Sequence, residues 1–117
     1  MNNDEELKNL AMMIIASAGE CKGLAYEAIK KAKTGDFVQA EELMEKAKKS
    51  QAEAHNAHFQ LLIKESNGEL EKINVLITHA QDHFMASLTA MDMATEMIEL
   101  YSMVDRLEKR IEKGGQP

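Results

Sequence analysis

Two short breaks, KTGD at 33–36 and SNGE at 66–69, divide a chain of 117 residues into three stretches whose apolar residues keep a helical period. Each break carries a glycine of the kind that ends a helix in a left-handed conformation. After the first break, Asp36 is placed to cap the next helix, and Gln39, three residues on, to complete a capping box. Leu7, Leu10, Ile14, Ala18, Cys21, Ala25, Ala28 and Ala32 recur at helical spacing before it. Ala40, Leu43, Met44, Ala47, Ala54, Leu61 and Leu62 do so after it. Helices are therefore expected over about 4–33, 37–66 and 70–113, the last roughly 60 Å long and stopped by GGQP.

Short connections make consecutive helices antiparallel neighbours, so the expected fold class is all-α, an up-down-up three-helix bundle. One domain spans 1–117, because a chain of this size has no room for a second core. Gly19 and Gly23 interrupt the first helix; they are tolerated most readily where another backbone comes close.

The third helix buries two faces. At about 100° per residue, Ile73, Leu76, Ile77, Ala80, Phe84, Leu88, Met91, Thr95 and Ile98 form one stripe. Asp82, Ala86, Met93, Leu100, Val104, Leu107 and Ile111 form a second, nearly opposite, with Glu96 near it and out of place. Helices 1 and 2 can cover only the first. An apolar strip as long as the second marks an interface, and self-association around helix 3 follows, most economically as a cyclic homo-oligomer. Asp82 then meets its own symmetry mates, and like carboxylates brought together take up protons or share a cation.

Composition excludes several partners. A net charge of −6, with Lys and Arg dispersed among acids as in EELMEKAKK, does not make a nucleic-acid surface. Between Ile73 and Met91 the only formally charged side chain is Asp82, yet Asn74, Thr78, His79, Gln81 and His83 make bilayer insertion costly. The opening MNNDEELKNL is acidic and polar, unlike a secretory signal. A lone Cys21 makes no internal disulfide, suits a reducing cytoplasm and is expected to be a small packing residue.

His79, Asp82 and His83 stand at i, i+3 and i+4, within one helical face; His79 sits at the seam between the two stripes and Asp82 on the second. His55 and His58 are a second i,i+3 pair. Three readings compete for the first cluster. Two histidines at i,i+4 are a frequent zinc arrangement, although the glutamate of a metalloprotease motif is absent. They can also be ordinary histidines satisfied by hydrogen bonds. Or one is a nucleophile: a neutral imidazole has a lone pair near pH 7, can take a phosphoryl group and hand it on, and needs no nucleotide loop. His79, with Gln81 or His83 nearby to fix its tautomer and donate hydrogen bonds, meets those needs.

The segment LITHAQDHFM resembles the signature His-Ala-Gln-Asp-His-Leu-Met of the lactose/cellobiose-type enzyme IIA of the bacterial phosphoenolpyruvate-dependent sugar phosphotransferase system. IIASAGECKGLAYEAIKKAKTGDFVQAEELMEKA is similar to that family's first helix, its Gly-Asp-Phe turn and the start of its second helix. AEAHNAH and LLIKESNGE resemble the end of the second helix, so the likeness covers nearly the whole chain. Phe84 stands where the family usually has Leu, and His58–Phe59 where Gln-Thr is more usual.

The resemblance implies a cytoplasmic homotrimer of three-helix subunits. It implies that His79 accepts phosphate from the phosphocarrier HPr and passes it to a cysteine of enzyme IIB, for uptake of a β-disaccharide of the lactose, cellobiose or chitobiose class through membrane enzyme IIC. His83 matches the motif's second histidine, in a supporting role with Gln81. Asp82 matches the family's axial metal-binding aspartate, for Mg2+ or another divalent cation, one per trimer; no nucleotide is involved. The competing reading is a non-catalytic bundle that binds metal or serves only as a regulator.

Overall fold

Two glycines turn the chain. In the computed structural model, which describes residues 3–69 and 75–114, Gly35 has φ 85° and Gly68 φ 75°, a left-handed backbone that a side chain would strain. Both turns close in the same way. Gly35 N–H donates to the Ala32 carbonyl at 3.0 Å and Asp36 N–H to the Lys31 carbonyl at 2.9 Å; Gly68 N–H donates to Glu65 and Glu69 N–H to Lys64. This double bond pattern satisfies carbonyls that the last helical turn leaves open. It also decides the next cap. Gln39 N–H donates to Asp36 Oδ1 at 3.1 Å, but Asp36 N–H is already committed to Lys31, so only half of the expected capping box is made.

The elements are α1 (Asn3–Lys33), α2 (Phe37–Ser66) and α3 (Val75–Gly114). They form the expected up-down-up bundle, 74 Å long and 18 Å across. The expected start of the last helix at about residue 70 lies outside the described residues, as does Ile73. No described helix is long and apolar enough to cross a membrane.

Alanine sets the packing distance. Ala11, Ala18, Ala54, Ala57 and Ala80 are almost solvent-free in one core cluster with Ile14, Leu61 and Phe84; Ala25, Ala28, Ala40, Ala47 and Ala94 are so in a second with Met44 and Met91. Such short side chains let helices approach closely. Cys21 belongs to the second cluster, where burial pushes its thiol pKa up and leaves it a neutral packing residue. α1 carries most of the packing, against both other helices, while α2 and α3 touch each other least. Lys64 joins the end of α2 to Glu6 of α1 at 2.7 Å, and their hydrogen bond lowers the Glu6 pKa and raises that of Lys64.

The first stripe of α3 faces this core. Ile77, Ala80, Phe84 and Met91 are buried, Leu76, Leu88 and Ile98 half-buried, and among its described residues only Thr95 stays exposed. The second stripe finds no cover within the chain: Met93 is 56% exposed, Leu100 59%, Val104 42%, Leu107 54% and Ile111 64%. Of its other members Asp82 is exposed and Ala86 half-buried; Glu96 beside it is exposed, as is every residue from Arg106 to Gly114.

Gly19 and Gly23 do not mark a close backbone approach within the chain. Both lie on the exposed flank of α1, and a Cβ at either would meet nothing within 4 Å. Gly23→Ala is therefore expected to raise unfolding free energy by about 0.5–1 kcal/mol through helix propensity. Leu61→Ala, at a solvent-free site, is expected to lower it by about 2–5 kcal/mol. Urea titration measures both; a destabilising Gly23→Ala would mean that another chain's backbone covers α1 there.

Candidate functional site

α3 has no proline or break between Val75 and Gly114, so its side chains leave a straight scaffold at fixed angles. His79 and His83, one turn apart, project from the same flank. His79 is exposed and His83 half-buried. Their Nε2 atoms are 3.0 Å apart, with ring centroids at 4.4 Å and planes at 90°. Between two neutral rings that distance requires one Nε2–H to donate and the other Nε2 to present its lone pair. The two rings must therefore be in complementary tautomers, and which of them donates depends on those tautomers. In either arrangement one Nε2 holds a lone pair, engaged by the hydrogen bond, and the other is a donor aimed at it.

Other expected members fall elsewhere. Gln81 is half-buried and two residues from His79, so its side chain leaves α3 on a different flank; no hydrogen bond joins it to either imidazole. Asp82 is exposed and belongs to the uncovered stripe. Among the described residues no group of three or more His, Cys, Asp or Glu side chains is placed to hold a metal ion. The histidine pair offers two donors where a structural zinc site needs four, so one chain does not furnish the zinc site that the spacing allowed. Asp82 brings a single carboxylate, and a hard cation there needs the same residue from further copies.

The histidines of α2 go to another place. His58 is half-buried and stacks on Phe84 of α3, ring centroids 4.7 Å apart and planes 23° from parallel. His55, exposed, is tilted against the same ring at 6.2 Å and 37°. Sequence spacing singled out the α2 pair but not the ring it meets, because which face of α2 meets which face of α3 is a tertiary fact. Burial lowers the pKa of His58, and the nearby charge of His55 lowers it further.

The family described as "PTS system, Lactose/Cellobiose specific IIA subunit" matches residues 9–102. The chain is 37% identical over 97 residues to the N,N'-diacetylchitobiose-specific EIIA component of Escherichia coli (strain K12), covering 83% of this chain and 84% of that one. The crystal structure of the cellobiose-specific enzyme IIA from Bacillus anthracis superposes with a TM-score of 0.82 at 36% identity, over 86% of this chain and 92% of the other. The solution structure of the IIA(chitobiose)–HPr complex of the Escherichia coli phosphotransferase system matches with a TM-score of 0.74 at 33% identity, over 85% of this chain and 96% of the other.

The His58 environment has a pH signature. Its folded pKa lies below the ordinary 6.5, so just below pH 6.5 the unfolded chain binds the proton more readily and the folded state loses stability. The contribution is intact above pH 6.5 and declines as pH falls from there toward the lower folded value. Wild type is expected to lose more melting temperature than His58→Phe between about pH 7.5 and about pH 5.5. Parallel losses in the two proteins would contradict this.

Proposed function

Since this chain belongs to the lactose/cellobiose-specific IIA subunit family of the phosphotransferase system, we propose that His79 is its phosphoryl-accepting residue, with His83 in support. The lone pair of a His79 ring nitrogen forms a P–N bond as the donor's own phosphoryl bond breaks. In the second step the P–N bond breaks as an acceptor thiolate forms a P–S bond, so no water or nucleotide enters. When His83 Nε2–H donates to His79 Nε2, that nitrogen holds the lone pair. The His83 donor then has only to turn from nitrogen to phosphoryl oxygen when the bond forms, which places stabilisation where charge develops. The single observation that carries this reading is the 3.0 Å Nε2–Nε2 contact with His79 open to solvent.

HPr is the donor in this reading, supported by the HPr complex solved for a similar IIA protein. Enzyme IIB is the acceptor. Membrane enzyme IIC then admits the sugar, a β-disaccharide of the lactose, cellobiose or chitobiose class, as the names of the relatives suggest. The carrier works in the cytoplasm and never needs to touch carbohydrate.

The assembly is a homotrimer around α3. Met93, Met97, Leu100, Val104, Leu107 and Ile111 follow one another at alternating steps of four and three, the spacing of a coiled-coil seam. In a parallel assembly each His79 sits where a neighbouring subunit borders the bundle, and the Asp82 carboxylates converge on the axis. Three like charges there favour one shared hard cation, Mg2+ being the best fit.

Incubation with phosphoenolpyruvate, enzyme I and HPr is expected to add an acid-labile phosphoryl group to wild type, read by intact mass, and none to His79→Ala; label on that variant would refute the assignment. Sedimentation velocity is expected to give three chains per particle. EDTA is expected to lower the melting temperature of wild type but not of Asp82→Asn. A monomer, or a metal-insensitive trimer, would contradict the axial arrangement.

A further inference from the structure

The two histidines of α2 have no part in the transfer as derived above, yet their shared target is on the helix that carries it. Phe84 is buried and lies next to His83 in the chain. On an α-helix it points about 100° away from His83 and about 140° away from His79. Whatever grips Phe84 therefore contributes, beside the more extensive packing of α1 on α3, to the rotation of α3 about its own axis, and so to the direction in which the imidazole pair faces.

α2 has few ways to apply that grip. It touches α3 less than it touches α1. Its buried side chains in this cluster are Ala54, Ala57 and Leu61, and two of the three are single methyl groups. The planar contact of His58 at 4.7 Å, with His55 tilted beside it, clamps Phe84 from the α2 side. An aromatic pair prefers particular offset arrangements, a preference for one relative placement that a methyl group does not supply.

We propose that His58 is a positioning residue for phosphoryl transfer, holding the His79–His83 pair in register through its stack on Phe84. The inference rests on His79 being the phosphoryl acceptor. A rotation of α3 by about 10° at roughly 6 Å from its axis moves a side chain by about 1 Å, and a displacement of that size can slow a transfer by up to about 100-fold.

The test uses the full-length protein in three forms: wild type, His58→Ala, and His58→Phe, which keeps a flat ring on Phe84. Phosphoryl acceptance from phospho-HPr is followed as kcat and KM, and the ring 15N shifts of His79 and His83 are recorded on the same samples. His58→Ala is expected to lose about 10-fold in kcat with KM changed less than about twofold, and to shift the His79 and His83 ring signals. His58→Phe is expected to restore both readouts. A His58→Ala protein with unchanged kcat and unchanged ring signals overturns the inference, as does a His58→Phe protein impaired equally. A wild type that takes up no phosphoryl group overturns the transfer reading and this inference together. A phosphorylated wild type matched by His58→Ala overturns this inference alone.

Discussion

α3 has an apolar stripe on each of two nearly opposite sides, and two neighbouring helices can cover only one of them. The organisation of the molecule follows from that constraint. α1 and α2 pack on the stripe that holds Ile77, Phe84 and Met91. The stripe of Met93, Leu100, Val104, Leu107 and Ile111 remains in water, a cost that association with further copies would remove. His79 lies between the two, on the flank that neither the chain's own core nor the uncovered stripe claims. A nucleophile at such a seam would be held by a rigid helix, open to a partner protein, and sheltered if copies assemble.

The same placement suits a carrier better than a hydrolase or a kinase. Phosphoryl transfer between proteins asks for positioning and donors, with little covalent machinery. The His79–His83 pair supplies a lone pair and a donor in one 3.0 Å contact. The stack of Phe84 on His58 lies on another side of the same helix. In the proposed transfer, positioning would be spread across the bundle while the chemistry stayed on one imidazole.

How far the sequence could be read depended on how local each signal was. Gly35 and Gly68 stand in the left-handed conformation expected of them, since a helix stop is written within a few residues. The two stripes of α3 were legible because a helical period converts spacing directly into direction. The cap at Asp36 was half legible: its side chain binds Gln39 N–H, but the preceding turn had already taken Asp36 N–H. Gly19 and Gly23 were legible only in part: no backbone of the same chain comes close to either, and spacing does not tell a surface left open from one that another copy covers. The partnership of His58 with Phe84 could not be read at all, since it depends on how two helices are rotated against each other. Gln81 was placed near His79 by proximity in the chain, and helical direction separates them.

The most direct test is a structure of the phosphorylated assembly. Expected there are a phosphorus atom bonded to a ring nitrogen of His79, one phosphoryl oxygen within hydrogen-bond distance of His83 Nε2, and a second subunit bordering the cleft. A phosphoryl group on any other side chain would contradict this, as would a His79 ring enclosed on all sides by its own chain.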